Sequence, residues 1–232
     1  MENNLNFEKD FNNKLGLTEK DYIANLPNIN NEENEFNNRC ISADVPRTTN
    51  NPDISKNLEE ILKVFSITNE GLQYKSGMSF IVKTILEITN NNKIKTYIIL
   101  RNIFENQDLH SFYDNDKYQN VMNKFELKFK EKMPILYQHF KKYDVTPIHY
   151  ALSLLKTLFC FQFNENIAKD LLKIFIVKND FDIYLNACLS YLKINEEGLL
   201  GKNFIGEILC LLNNNKMMIN VNKFNEIMTK LK

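Results

Sequence analysis

Glycine and proline are scarce in this 232-residue chain, at 6 and 5. That scarcity argues against a turn-rich β-sandwich and leaves helices as the leading class. Surplus charge is absent too: Lys+Arg and Asp+Glu are 29 each. A phosphate-binding surface normally leaves a basic excess, so nothing in the net charge points to nucleic acid. The three histidines, His110, His139 and His149, are scattered without a metal-ligand rhythm and read as surface or boundary residues. No C-x-x-C joins Cys40, Cys160, Cys188 and Cys210, which are expected to be buried free thiols in a reducing cytosol. No window approaches the roughly 20 apolar residues of a membrane span. Met1–Asp10 is acidic and Asn-rich without an apolar stretch, so no signal peptide is visible. These absences predict a cytoplasmic protein. There is no phosphate-binding glycine loop, no H-E-x-x-H and no G-x-S-x-G, so no self-contained active site is advertised.

What remains is an ordinary globular composition, 44% hydrophobic and 25% charged, arranged with helical period. Asn and Glu crowd 28–38 with few apolar anchors, and the stretch reads as a surface loop. Beyond it, Ile54, Leu58, Ile61, Leu62 and Phe65 recur at three- and four-residue steps. Met78, Ile81, Val82, Ile85 and Ile88 repeat the pattern after Gly77, and Ile94, Ile98, Arg101 and Phe104 follow. The longest run, Val121 to Phe140, is interrupted by Pro134, which predicts a kink or a restart with proline in the first helical position. Thr146-Pro147 announces another start, for a helix carrying Ala151, Leu154, Leu155, Leu158 and Phe159. Further helices are expected over 171–177, 183–192, 204–212 and 221–231, with Asn90–Asn92 and Asn213–Asn215 as loops. The expected fold is all-α. Residues 1–38 form an Asn-rich segment, partly flexible and partly the start of the domain, and 39–232 a single helical domain.

One stretch stands out. Ile41-Ser42-Ala43-Asp44-Val45-Pro46-Arg47-Thr48 sets an arginine between Pro46 and the breakers Asn50, Asn51 and Pro52. Proline stiffens itself and its predecessor, which predicts Arg47 on a rigid loop with Asp44 oriented toward it. The plain alternative is a solvated surface arginine beside an acid.

The next segments shift the balance toward the first. Glu59, Ile61 and Leu62 precede Gln73-Tyr74-Lys75-Ser76-Gly77-Met78. Together the chain resembles the TBC-domain family of Rab GTPase-activating proteins. Members carry I-x-x-D-x-x-R, an E-x-x-x-I-L-type helix and Y-x-Q-G-M. Ile41, Asp44, Arg47 and the trailing Thr48 match the first motif; Tyr74, Gly77 and Met78 match the last, with Ser76 where glutamine is expected. Downstream, 132–140 is similar to the family's P-x-L-Y-x-H-L segment and 146–159 to the helix after it. There the usual tryptophan is missing, as are the tryptophan and aspartate of the I-W-D at Ile174-Phe175. The similarity runs from about residue 15 to 215.

The resemblance implies a GTPase activator. It would act in trans on a Rab-like small GTPase in its GTP state, in vesicle traffic. Arg47 would be the arginine finger, with Asp44 and Tyr74 supporting it. It implies no cofactor of the chain's own, since Mg-GTP is bound by the partner, and recruitment to endomembranes through that partner. Ser76 cannot make the paired contacts of a glutamine amide. Three readings stay open: the GTPase's own glutamine orients the water; Gln73, one helical turn earlier if this segment is helical, reaches in; or the chain only binds its partner. A helical scaffold unrelated to GTPases is the remaining alternative.

Overall fold

A computed structural model describes residues 19–69, 72–114, 117–161, 163–214 and 218–230. The readings of Met1–Asp10, Gly71, Asn215 and Leu231 lie outside these. The described residues contain helices and no strand. They fall into two compact units: one holds the residues through His110 with Ile176–Asn179, the other Ser111–Phe175 with those from Asp180 onward.

In the first unit, residues 19–25 are helical (α1). They are followed by α2 (Glu35–Thr48), α3 (Pro52–Thr68), α4 (Met78–Ile88) and α5 (Lys93–Phe104). α2 packs on α3 and α4, and α4 on α3 and α5. The expected starts of α3 and α4 hold. The Asn51 side chain accepts from the Asp53 and Ile54 amides at 3.0 and 3.3 Å, while Pro52 takes the position whose N–H has no helical partner. Leu58, Ile61, Leu62 and Phe65 then form the buried face of α3, and Met78, Ile81, Val82 and Ile85 that of α4. The Asn90–Asn92 loop is also as expected. Asn90 (φ 53°) takes the left-handed position that ends α4, with the Asn91 N–H bonded to the Leu86 carbonyl at 2.7 Å.

α2 is a correction. The stretch over 28–38 was expected to loop and Arg47 to ride on a loop. Instead two short 3-10 turns (Leu26–Asn28 and Glu32–Asn34) lead into a helix that runs through Pro46 and ends at Thr48. Pro46 cannot donate to the Ser42 carbonyl, but its neighbours supply other ties. Ile41 and Val45 are buried on the inner face. Ser42 Oγ donates to Glu59 of α3 at 2.8 Å, and the Thr49 N–H reaches the Val45 carbonyl at 3.2 Å. Tertiary packing overrides a local breaker when the break falls in the last turn.

Glu60 of α3 joins three elements, accepting from Tyr22 of α1 at 2.6 Å and from Lys93 of α5 at 2.8 Å. Burial would raise its carboxyl, but the hydrogen bonds from Lys93 and Tyr22 outweigh that and hold it below the usual range. A depressed folded value contributes stability above the unfolded pKa of about 4.3, and that contribution fades as pH falls through the folded value. Glu60→Gln is therefore expected to lose up to about 1 kcal/mol at pH 7 in urea unfolding, less near pH 3.5. An equal gap at both pH values would contradict this.

The second unit contains α7 (Tyr118–Lys132), α8 (Pro134–Lys142), α9 (Pro147–Lys156), α11 (Asp182–Ile194), α12 (Glu196–Leu200), α13 (Ile205–Asn214) and α14 (Val221–Lys230). α6 (Gln107–Tyr113) and α10 (Glu165–Lys178) each have residues in both units. Pro134 restarts the helix, as expected, in the first position of α8. Phe125, Phe129, Phe140 and Tyr150 from α7, α8 and α9 pack with ring centroids 5.5–6.2 Å apart. At the start of α9, His149 Nδ1 accepts from the Thr146 N–H at 3.1 Å.

Four expectations change here. α9 stops at Lys156, so Leu158 and Phe159 are not on it; both have positive φ, 47° and 63°. The Phe159 N–H bonds to the Leu154 carbonyl at 2.8 Å and the Leu158 N–H to the Leu155 carbonyl at 3.1 Å. This is the helix-ending arrangement that usually selects glycine. Both side chains are fully buried, and that burial offsets about 1–2 kcal/mol of left-handed strain. Asn213 and Asn214 finish α13 rather than forming a loop. The short helices α6 and α12 were not foreseen. Finally, only Cys188 of the four free cysteines is buried; Cys40 and Cys160 are half-buried and Cys210 is exposed. The histidines do lie at boundary or surface positions.

Candidate functional site

The residues singled out around Arg47 all fall in the first unit. Arg47 occupies the last turn of α2 with its side chain 77% exposed, and its Nη1 lies 3.6 Å from Asp44 Oδ1. An i,i+3 spacing brings the two side chains to one face. Asp44 is 17% exposed, and its other oxygen accepts from the Tyr74 hydroxyl at 2.8 Å. Burial, and then the bond to Asp44, push the Tyr74 hydroxyl up, so it remains a donor. The Thr48 hydroxyl donates to the Asp44 carbonyl at 2.8 Å, and its oxygen lies 2.8 Å from Ser79 Oγ on α4. The mobile part of the arginine thus stands on a helix end held from two sides, by Tyr74 and by Ser79.

Ile41 is completely buried, so its part in the motif is to fix α2 against the core. Glu59 lies behind the helix, taking hydrogen bonds from Ser42 and Lys63 at 2.8 Å each. Burial works against its ionised form, but those bonds outweigh it and keep the carboxyl low. Ser79 was missed by sequence reasoning. In the structure it is a single hydroxyl, fully buried, in the apolar run Met78 to Val82.

Between Tyr74 and α4 the chain makes a tight turn, closed by the Met78 N–H on the Lys75 carbonyl at 3.1 Å. Gly77 has φ 105° and ψ −23°, a conformation a Cβ disfavours. Met78 is fully buried, and Ser76 is exposed at the tip. The segment 72–75 is not helical, so Gln73 does not stand one helical turn before Ser76. Leu72 and Tyr74 are buried while Gln73 and Ser76 are exposed. Gly77→Ala is expected to cost about 1–2 kcal/mol in denaturant unfolding. An unchanged midpoint would mean that the turn relaxes without strain.

Among the described residues no helix is long and apolar enough to cross a membrane, and no group of His, Cys, Asp and Glu could hold a metal ion. The chain resembles known proteins along most of its length. GTPase activating protein Gyp51 of Schizosaccharomyces pombe is 26% identical over 158 residues, 67% of this chain and 15% of that protein. Rab GTPase-activating protein eat-17 of Caenorhabditis elegans is 26% identical over 178 residues, 70% of this chain and 20% of that protein. The chain therefore spans a fifth or less of these curated relatives. Among solved structures, the Chlamydomonas flagellar RabGAP TBC domain superposes with a TM-score of 0.79 at 20% identity, covering 95% of this chain and 74% of that one. The Ypt/Rab-GAP domain of Gyp1p gives 0.79 at 14% identity, covering 94% and 79%. At these identities the superpositions speak for a shared all-α fold. The sequence model of the family RabGAP-TBC, described as the Rab-GTPase-TBC domain, matches residues 3–200, and the chain belongs to that family.

Proposed function

We propose that this chain is a GTPase-activating domain that acts in trans on a Rab-like small GTPase loaded with GTP, delivering Arg47 to the γ-phosphate. Family membership supports the partner class, as do the activities in the names of its relatives. The observation that carries the residue assignment is an exposed guanidinium on a braced helix end. Hydrolysis of GTP concentrates negative charge on the transferring phosphoryl oxygens, and a guanidinium from a partner neutralises it, accelerating the reaction by about 10³–10⁵. Arginine suits the task because its planar donors can bridge two oxygens and its charge is permanent.

Among the described residues Arg47 pairs with Asp44, 3.6 Å away, with its side chain largely in solvent. Such an exposed pair is worth at most about 1 kcal/mol, so releasing the arginine toward a nucleotide costs little. The backbone beneath it does not need to move. Mg-GTP and the metal chemistry belong to the partner, which would also bring the chain to its membrane in vesicle traffic.

A second reading is favoured by one observation, the hydroxymethyl side chain at Ser76, on the turn where the family carries glutamine. A serine offers one donor and ends several ångströms short of an amide, so a chain relying on its own glutamine would bind a GTPase without accelerating it. Multiple-turnover hydrolysis across a panel of Rab-like GTPases separates the readings. Activation of at least one member supports the first. Nucleotide-dependent binding with no acceleration anywhere supports the second. Neither binding nor acceleration across the panel would count against both.

A further inference from the structure

The inner face of α2 is anchored by Ile41 and Val45. Its opposite face carries Phe36, Arg39, Ala43, Pro46 and Arg47, all exposed. At about 100° per residue, Phe36 and Arg47, eleven positions apart, differ by only about 20° around the axis and are separated by about 16 Å along it. Ala43 lies between them on nearly the same line. Phe36 is 75% exposed, more than any other exposed aromatic side chain among the described residues.

An isolated exposed hydrophobe needs no explanation. Phe36 differs in its alignment: a protein surface laid along α2 to meet the Arg47 guanidinium also covers the Phe36 ring. On that face Arg39 is already compensated by its bond to Glu35. The line therefore presents an aromatic, a methyl group and then a cation. An occupant complementary to it has an apolar recess beside an anion, as a GTPase surface flanking its bound nucleotide would.

We propose that Phe36 is an anchor for the GTPase, binding its protein surface while Arg47 addresses the nucleotide. This inference rests on the Arg47 reading and assigns Phe36 to affinity rather than chemistry. Buried aromatics at the centre of an interface are the residues whose truncation costs most binding energy. Because the ring would be buried equally in the ground and transition states, its loss raises KM and leaves kcat alone.

Steady-state kinetics with a GTPase that the wild-type chain activates, the concentration of GTP-loaded GTPase being varied, tests this. Phe36→Ala is expected to raise KM about 10-fold, equivalent to about 1.4 kcal/mol, with kcat within twofold. Phe36→Leu should recover most of the loss. Ile23→Ala, which removes an exposed side chain of α1, should change neither constant. Arg47→Ala measured alongside separates the two assignments. If it abolishes kcat while Phe36→Ala leaves KM within twofold, the Phe36 assignment alone is overturned. If Arg47→Ala retains full kcat, the reading beneath it fails as well. A wild-type chain that is dimeric in solution and becomes monomeric on Phe36→Ala would assign this face to a second copy instead, and would overturn the proposal.

Discussion

Arg47→Ala should lower the stimulated kcat of a responsive GTPase by about 10³ or more while leaving the chain folded. The two halves of this expectation have different origins. The kinetic half follows from charge: in the transition state three phosphoryl oxygens share accumulating negative charge, and no other cation of the Arg47 motif is placed to replace a guanidinium in trans. The stability half follows from exposure. With its side chain 77% in solvent and one pair at 3.6 Å, Arg47 contributes little to the folded state, and its removal should stay within about 0.5 kcal/mol. Arg47→Lys should recover only a small part of the rate, because an ammonium meets the oxygens as a point charge and cannot bridge two of them. Single-turnover measurements at saturating activator would keep a binding defect from being read as a chemical one. If the alanine variant accelerated hydrolysis within twofold of wild type, Arg47 would be an ordinary surface arginine and the assignment would fall.

The braces around Arg47 add a gradation. Tyr74 secures the carboxylate of Asp44, and Ser79 secures Thr48. On the Arg47 reading these groups act by holding the helix end. Their loss should therefore cost less than the loss of the guanidinium itself, since an arginine on a loosened helix end still samples the productive position.

How much of this was legible in the sequence depends on whether the deciding interaction was local. α3, α4 and the restart at Pro134 were readable because period, cap and proline act within a few residues. Asn51 caps the helix that begins next to it, and Pro134 occupies the first position of α8. α2 was misread because Pro46 signals a break locally, while the contacts that carry the helix past it come from Glu59 and the core around Ile41. The end of α9 failed for the same reason. Leu158 and Phe159 fit a helical period, but their side chains are buried from a left-handed turn that sequence alone would assign to glycine. At the candidate site, Asp44, Arg47 and Tyr74 were singled out by motif, and the hydrogen bond and ion pair that bring them together have no local signal. Ser79 was invisible because one serine in an apolar helix has no pattern. The suggestion that Gln73 backs up Ser76 depended on a helical segment that the chain does not form.

Ser76→Gln should convert the chain from an activator that depends on its partner's glutamine into one that does not. The Lys75–Met78 turn fixes the backbone on either side of Ser76, with Gly77 in its left-handed conformation, and the Ser76 side chain is exposed. A glutamine there keeps the backbone and extends an amide by several ångströms, adding a donor and an acceptor able to orient water. If the partner's own glutamine orients the water, the gain against an unmodified GTPase should be small. Against a GTPase whose glutamine is replaced by alanine, the wild-type chain should be nearly inert. Ser76→Gln should then restore about 10²-fold acceleration, the scale on which one preorganised polar group usually acts. Combining it with Arg47→Ala should remove the gain, since an oriented water still needs its charge neutralised. If Ser76→Gln stays silent against both partners, the turn does not face the nucleotide, and a single substitution cannot account for any weakness of this chain as an activator.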